Sequence, residues 1–223
     1  MKRNALHRWV LAALAVLMAV WPLASCGQPY TPPPGETEAT EYLGVALTPI
    51  SQQGNNALKG TQVIDKDTYR LTVDGLVNNA LSLTYADILA FPQESRLASL
   101  HCVDGWSFTA KWTGPTLASI LEEAKVQPDA KTVIFHTADV SDGYTALELQ
   151  YILDSSIIIA VKLNDVTLPA SRGFPFQVVA EGKFGYKWAK WVDRIELSSQ
   201  DFLGYREKEG FNDNADINGP ALG

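Results

Sequence analysis

With 223 residues, 46% of them apolar, the chain is long enough for one domain of about 150–200 residues with a proper core. Its formal charge of −7 argues against nucleic acid, whose phosphates call for a basic excess. Any anionic ligand therefore has to be held by a local basic cluster.

At the start, Lys2, Arg3 and Arg8 precede an apolar run from Trp9 to Val20 that is too short to span a bilayer, and Leu23-Ala24-Ser25-Cys26 follows. This resembles a bacterial lipoprotein signal. The resemblance implies removal of residues 1–25, lipidation of Cys26, and a lipid-anchored protein on the extracytoplasmic side of the bacterial cell membrane; an uncleaved N-terminal anchor is the alternative. Loss of the leader leaves 15 basic and 25 acidic residues, a net of −10. With Cys26 committed to lipid, Cys102 has no intramolecular disulfide partner, and a lone thiol outside the cytoplasm is expected to be buried or bound. Lys2-Arg3-Asn4-Ala5-Leu6 is only a degraded twin-arginine pattern, which weighs against a cofactor loaded before export.

Residues 26–42 are rich in Pro, Thr and Glu, with Pro32-Pro33-Pro34-Gly35 at the centre, and read as a flexible tether. The folded domain is expected over 43–203, with a loop at Gln52-Gln53-Gly54-Asn55-Asn56. Alternation over Thr68–Gly75 predicts a half-buried strand closed by Asp74-Gly75. Thr84, with Asp87 three residues on, predicts a helix start, and Phe91-Pro92 its end. Strands are expected over Arg96–Val103 and Trp106–Trp112. Gly114-Pro115 sets up a helix over Thr116–Ala124, where Leu117, Ile120, Leu121 and Ala124 share one face. Thr132–Thr137 and Ile157–Leu163 are runs of strand length, the second turning at Asn164-Asp165, and Ala146–Ile152 is expected to form one or two helical turns. Phe176–Ala180 and Trp191–Leu197 complete the strands, and residues 204–223 form an acidic tail expected to loop over the surface. Strands outnumber helices without alternating with them, so the class is α+β in a single domain.

Two elements carry chemistry. Cys102 sits at the end of an apolar run, as either a buried core residue or a ligand. In an extended strand His101 points to the opposite face from Cys102, which leaves His136 as the histidine available to assist a cysteine nucleophile. Neither a C-x-x-C pair nor an H-E-x-x-H helix offers a zinc site. The second element is the block from Arg172 to Arg194, where Arg172, Lys183, Lys187, Lys190 and Arg194 stand against Glu181 and Asp193. Glycines and lysines there suit a phosphate cradle, or equally a lysine-rich strand edge exposed to solvent.

Cys102 before Gly105-Trp106, Leu168-Pro169-Ala170-Ser171-Arg172-Gly173-Phe174-Pro175, and Lys183-Phe184-Gly185-Tyr186-Lys187-Trp188-Ala189-Lys190-Trp191 together resemble the molybdopterin-binding domain of sulfite oxidases and periplasmic methionine-sulfoxide reductases. The resemblance spans about Asp67 to Ser198. It implies a mixed-sheet, sulfite oxidase-like molybdopterin-binding fold, with Cys102 as the sole protein ligand to molybdenum. It also implies a cofactor-contacting Thr137, and a phosphate-wrapping segment at Trp188-Ala189-Lys190 with Lys187 nearby. Two positions depart from the family: Arg172 stands where His or Asn is usual, and Gln177 where Arg is usual. Asn55 and Asn56 are faint candidates for the family's N-terminal cofactor-gripping segment.

The function implied is that of a molybdenum-molybdopterin oxidoreductase, transferring an oxygen atom or two electrons on a small oxyanion or sulfoxide. Without a C-x-x-C-H haem motif, electrons are expected from a separate partner. The alternative is a non-catalytic tethered module of the same fold, which Gln177 would favour. Trp106, Trp112, Tyr186, Trp188 and Trp191 are expected either to line a pocket or to join the core.

Overall fold

The computed structural model describes residues 30–223. The leader and Cys26 lie outside the described residues. Among the described residues, no helix is long and apolar enough to cross a membrane.

The described chain opens with a short ribbon, β1 (Glu41–Tyr42) and β2 (Val45–Ala46). Next come β3 (Leu71–Gly75), β4 (Leu81–Leu83) and helix α1 (Tyr85–Ala90), whose start is fixed by a full capping box between Thr84 and Asp87. A long hairpin follows, β5 (Gln93–His101) and β6 (Ser107–Pro115), running directly into α2 (Leu117–Ala124). Thr116 caps α2 by accepting from the Ser119 amide, and its four predicted core residues are all buried. Then come β7 (Thr132–Thr137), β8 (Val140–Glu148) and α3 (Leu149–Ser155). The last strands are β9 (Ile158–Ala160), β10 (Lys162–Leu163), β11 (Val166–Thr167), β12 (Gln177–Val179) and β13 (Val192–Ser198), followed by the single turn α4 (Tyr205–Lys208).

Two sheets dominate. A five-stranded sheet has the order β4-β3-β13-β7-β8, and β13 pairs parallel with β3 but antiparallel with β7, so the sheet is mixed. A four-stranded antiparallel sheet has the order β11-β10-β6-β5. Between them the small β12-β9 pair runs through the core, and its residues are fully buried. Gly114 makes this contact possible: a side-chain carbon there would lie 1.9 Å from the Ile159 carbonyl oxygen.

The expected strand Ile157–Leu163 is therefore two strands, broken where the chain leaves one partner for another. Its turn falls at Asn164 and Asp165, both with positive φ, between β10 and β11. The helix expected from Ala146 begins three residues later, because β8 continues to Glu148 in register with β7. Cross-strand pairing overrides the local pattern there.

Residues 30–42, read from sequence as a tether, make specific contacts. Glu36 accepts from the Thr167 amide and hydroxyl, both at 2.5 Å, and Glu38 accepts from the Ile50 amide at 2.7 Å and Asn164 Nδ2 at 3.1 Å. Composition hid these two carboxylate anchors. The acidic tail likewise differs from a surface loop: Phe184 N–H donates to the Ala215 carbonyl and Ile217 N–H to the Gly182 carbonyl, and Ala215 is buried.

Candidate functional site

The β5–β6 hairpin places Cys102 one residue past the end of β5, in the connecting turn. Its amide donates to the Trp106 carbonyl at 2.9 Å, and its carbonyl accepts from Gly105 N–H at 3.1 Å. Both backbone groups are thus fixed, which gives the thiol a defined direction.

Cys102 opens on a cavity of about 340 Å³ shared by Asn55, Asn56, Asp104, Trp106, Asp139, Tyr144, Arg172, Gln177, Tyr186, Trp188, Lys190, Trp191, Arg206 and Phe211. The thiol is half-buried, and its polar contacts are long: Asn56 Nδ2 donates to it and it donates to Asp104 Oδ2, each at 3.6 Å. Burial is the chief cause that pushes the thiol pKa up. A backbone hydrogen bond at Asp104 opposes the rise and the Asp104 carboxylate adds to it. Among the described residues, no three His, Cys, Asp or Glu side chains converge to hold a metal ion.

Of the five basic residues in the 172–194 block, only Arg172 and Lys190 reach the cavity. The Arg172 guanidinium donates to the carbonyls of Gly54 (2.5 Å) and Gln53 (2.6 Å) and lies over the Phe108 ring. Lys190 Nζ donates to Asn55 Oδ1 at 2.9 Å and the Asn56 carbonyl at 2.5 Å. Neither has a carboxylate partner among the described ion pairs. Burial pulls the Arg172 pKa down to about 10; burial and then repulsion from Arg172 pull Lys190 down to about 8. Two partly desolvated cations share the cavity with no carboxylate in ion-pair contact, Asp139 acting on Lys190 only as a weaker attraction, so together they suit an anion. Gln177 adds an orphan, since its Oε1 is buried with no hydrogen-bond partner among the described residues.

The other predicted residues are placed differently. Lys187 is not in the cavity wall. Its fully buried ammonium is held by Glu207 (2.6 Å), Asp213 (2.9 Å) and the Ala146 carbonyl (3.1 Å), so it anchors the tail. Thr137 is buried behind the wall and donates to Asp139 Oδ1 at 2.8 Å, while Asp139 itself lines the cavity. Ala189 is fully buried, its carbonyl engaged by the Val178 amide. Trp188 is in the wall, its indole N–H donating to the Lys183 carbonyl at 3.0 Å. Trp106, Tyr186 and Trp191 also line the cavity, whereas Trp112 is core, stacked edge-on against Trp188. His136 is not a lining residue; it bonds Glu196 at 2.9 Å and approaches Arg194 Nη1 at 3.2 Å, so among the described residues no histidine lines the cavity beside Cys102.

Sequence reasoning missed Asp104, Asp139, Tyr144, Arg206 and Phe211. The last two belong to the tail, and an acidic, glycine-rich tail carries no periodicity to betray them. Asn55 and Asn56, from an indistinct stretch of sequence, line the cavity. Gly54 brings them in, because a side-chain carbon there would lie 2.4 Å from the Trp106 ring.

Residues 58–206 match the family described as the oxidoreductase molybdopterin binding domain. The chain is 32% identical over 149 residues to a putative protein-methionine-sulfoxide reductase subunit of Azospira oryzae, covering 67% of this chain but only 56% of that protein. It is 33% identical over 165 residues to the mitochondrial sulfite oxidase of Drosophila melanogaster, covering 62% of this chain and 29% of that one. Its fold is similar to the crystal structure of the sulfane dehydrogenase SoxCD from Paracoccus pantotrophus, with a TM-score of 0.66 and 26% identity over 69% of this chain and 44% of that chain.

Proposed function

Because the chain belongs to the oxidoreductase molybdopterin-binding domain family, with its α+β, mixed-sheet sulfite oxidase-like fold, we propose that it is a molybdenum-molybdopterin oxidoreductase acting on a small oxyanion or sulfoxide. The observation that carries this reading is the wall of the cavity itself. A thiol stands in the same cavity as buried Arg172 and half-buried Lys190, neither of which has a carboxylate partner among the described ion pairs, and a buried amide oxygen that lacks a donor among the described residues.

These residues fit the group. Cys102 would ligate molybdenum as the thiolate, since coordination overrides the rise in its pKa. Arg172 and Lys190 would neutralise the pterin phosphate, and Gln177 Oε1 would accept from a pterin N–H. Trp188 would close one side against water. When bound, the cofactor supplies two-electron redox chemistry with oxygen-atom transfer. Arg172 would supply a positive charge near Gln177, although Gln177 cannot make the bidentate phosphate contact of an arginine.

The relative from Azospira oryzae is called a subunit. In keeping with that, we propose that electrons pass to or from a separate partner protein, and that lipid on Cys26 holds the chain at the extracytoplasmic face of the bacterial membrane. The intact mass of membrane-extracted protein tests the anchor: wild type carries the mass of lipid and Cys26→Ser does not.

The direct test of the cofactor is molybdenum and pterin analysis of full-length protein purified from a molybdenum-replete host. Near-stoichiometric molybdenum is expected in wild type, with a thiolate-to-metal absorption band that Cys102→Ala abolishes. Folded protein devoid of both metal and pterin would overturn the reading in favour of a non-catalytic module of the same fold.

A further inference from the structure

The tail contributes one cation to the cavity that the cofactor reading leaves unused. Arg206 lies in α4, and its neighbour Glu207 points the other way, into the core, where it meets Lys187 at 2.6 Å and Thr145 Oγ1 at 2.6 Å. Lys187 and Glu207 are both about 1% exposed at the side chain, so this pair pins α4 from beneath. Tyr186 then donates its hydroxyl to the Asn212 carbonyl at 2.6 Å, and the Tyr186 ring packs on Phe211 at 5.3 Å. With the tail so pinned, Arg206 and Phe211 form part of the cavity wall alongside Cys102. The Arg206 guanidinium lies over the rings of Tyr205 and Phe211. Its Nη1 reaches Glu209 at 2.8 Å, its one carboxylate partner among the described ion pairs, and both side chains are over a third exposed.

We propose that Arg206 is the substrate-selecting residue of this site, held in the wall by the Lys187–Glu207 pair, and that it favours a small oxyanion over a neutral sulfoxide. Arg172 and Lys190 are tied to the Gln53–Asn56 segment. Arg206 is tied to none of it and offers its remaining guanidinium donors to a ligand entering from solvent. Arg206 lines the same cavity as Cys102, so its guanidinium acts in the space where a reacting group beside Cys102 would sit. A planar fork of donors matches two oxygens of a sulfite- or sulfate-like anion, whereas a sulfoxide offers one oxygen and no charge. The inference rests on the cofactor reading for its redox step but not for its anion site.

The test titrates full-length protein with sulfate, an unreactive oxyanion, and with dimethyl sulfoxide, following the fluorescence of the cavity tryptophans. Molybdenum content is measured on the same samples. Arg206→Gln is expected to weaken sulfate binding by tenfold or more, leave dimethyl sulfoxide binding within twofold, and keep wild-type molybdenum content. Arg206→Lys is expected to recover part of the sulfate affinity. Equal sulfate affinity in wild type and Arg206→Gln, or equal loss for both ligands, overturns the proposal. If the wild type proves free of molybdenum, the cofactor reading falls separately, and Lys190→Gln then decides: sulfate binding lost with Arg206 but kept without Lys190 supports the inference, and the reverse sinks it.

Discussion

Replacing Lys187 with methionine isolates what the tail anchor is worth. The substitution keeps most of the side-chain volume but leaves Glu207 as a buried carboxylate with no cation, and Glu207 Oε2 already lacks a hydrogen-bond partner. The Ala146 carbonyl and the half-exposed Asp213 lose a donor as well. Breaking a buried pair by removing one partner costs about 3–5 kcal/mol, because the remaining charge is uncompensated. For a domain of this size each kcal/mol moves the midpoint by about 2–4 °C, so thermal unfolding should fall by roughly 6–20 °C. Limited proteolysis should at the same time open first within residues 204–223, since releasing the tail is the cheapest way to rehydrate Glu207. The double variant Lys187→Met/Glu207→Leu removes both charges and should recover at least half of the loss. A single variant within about 1 kcal/mol of wild type, or a double variant no better than the single, would show that the pair does not anchor the tail.

Two further outcomes follow from the same geometry. Lys190 has its folded pKa lowered to about 8 from 10.5, so the folded state binds fewer protons than the unfolded chain between those values. Stability contributed at this site is therefore lowest below about pH 8 and rises as pH climbs from 8 towards 10.5. In cofactor-free protein, the difference in urea stability between wild type and Lys190→Met should shift in favour of wild type over that window; a flat difference would refute the burial argument. In Gly114→Ala the new methyl meets the Ile159 carbonyl oxygen at 1.9 Å, so β6 and β9 must separate. A cost of about 3 kcal/mol or more in chemical unfolding is expected, and a neutral result would mean that the close approach is not needed.

Much of the fold was legible in the sequence because its signals are local. Thr84 with Asp87, the spacing of Leu117, Ile120, Leu121 and Ala124, and the turn at Asn164-Asp165 are each decided within a few residues. What escaped was decided at long range. Residues 146–148 stay extended because β7 offers them partners, and Lys187, legible as a phosphate-binding lysine from the glycine-rich block, is claimed by Glu207 and Asp213 more than 19 residues away. The site divides the same way. Cys102, Arg172, Gln177, Trp188 and Lys190 stand in stretches with their own composition or motif. Arg206 and Phe211 stand in a tail whose sequence resembles any solvated terminus, and only tertiary contacts reveal that it forms a wall.

The position of β13 has a consequence for how the protein is made. It is the last of the described strands in sequence yet sits in the middle of the five-stranded sheet, joining β3 to β7, with Arg194 opposite Thr72 on one side and His136 on the other. Until residues 192–198 leave the ribosome, β3 and β7 each lack the neighbour that completes them, and the hydrophobic core cannot close. Such a non-local pairing requires a large loop to be ordered before it is rewarded, which places folding towards the slow end for domains of this size. The nascent chain thus carries an open edge on β3, and later a second on β7, until residues 192–198 emerge, and a chaperone that shields such edges would find its binding sites there.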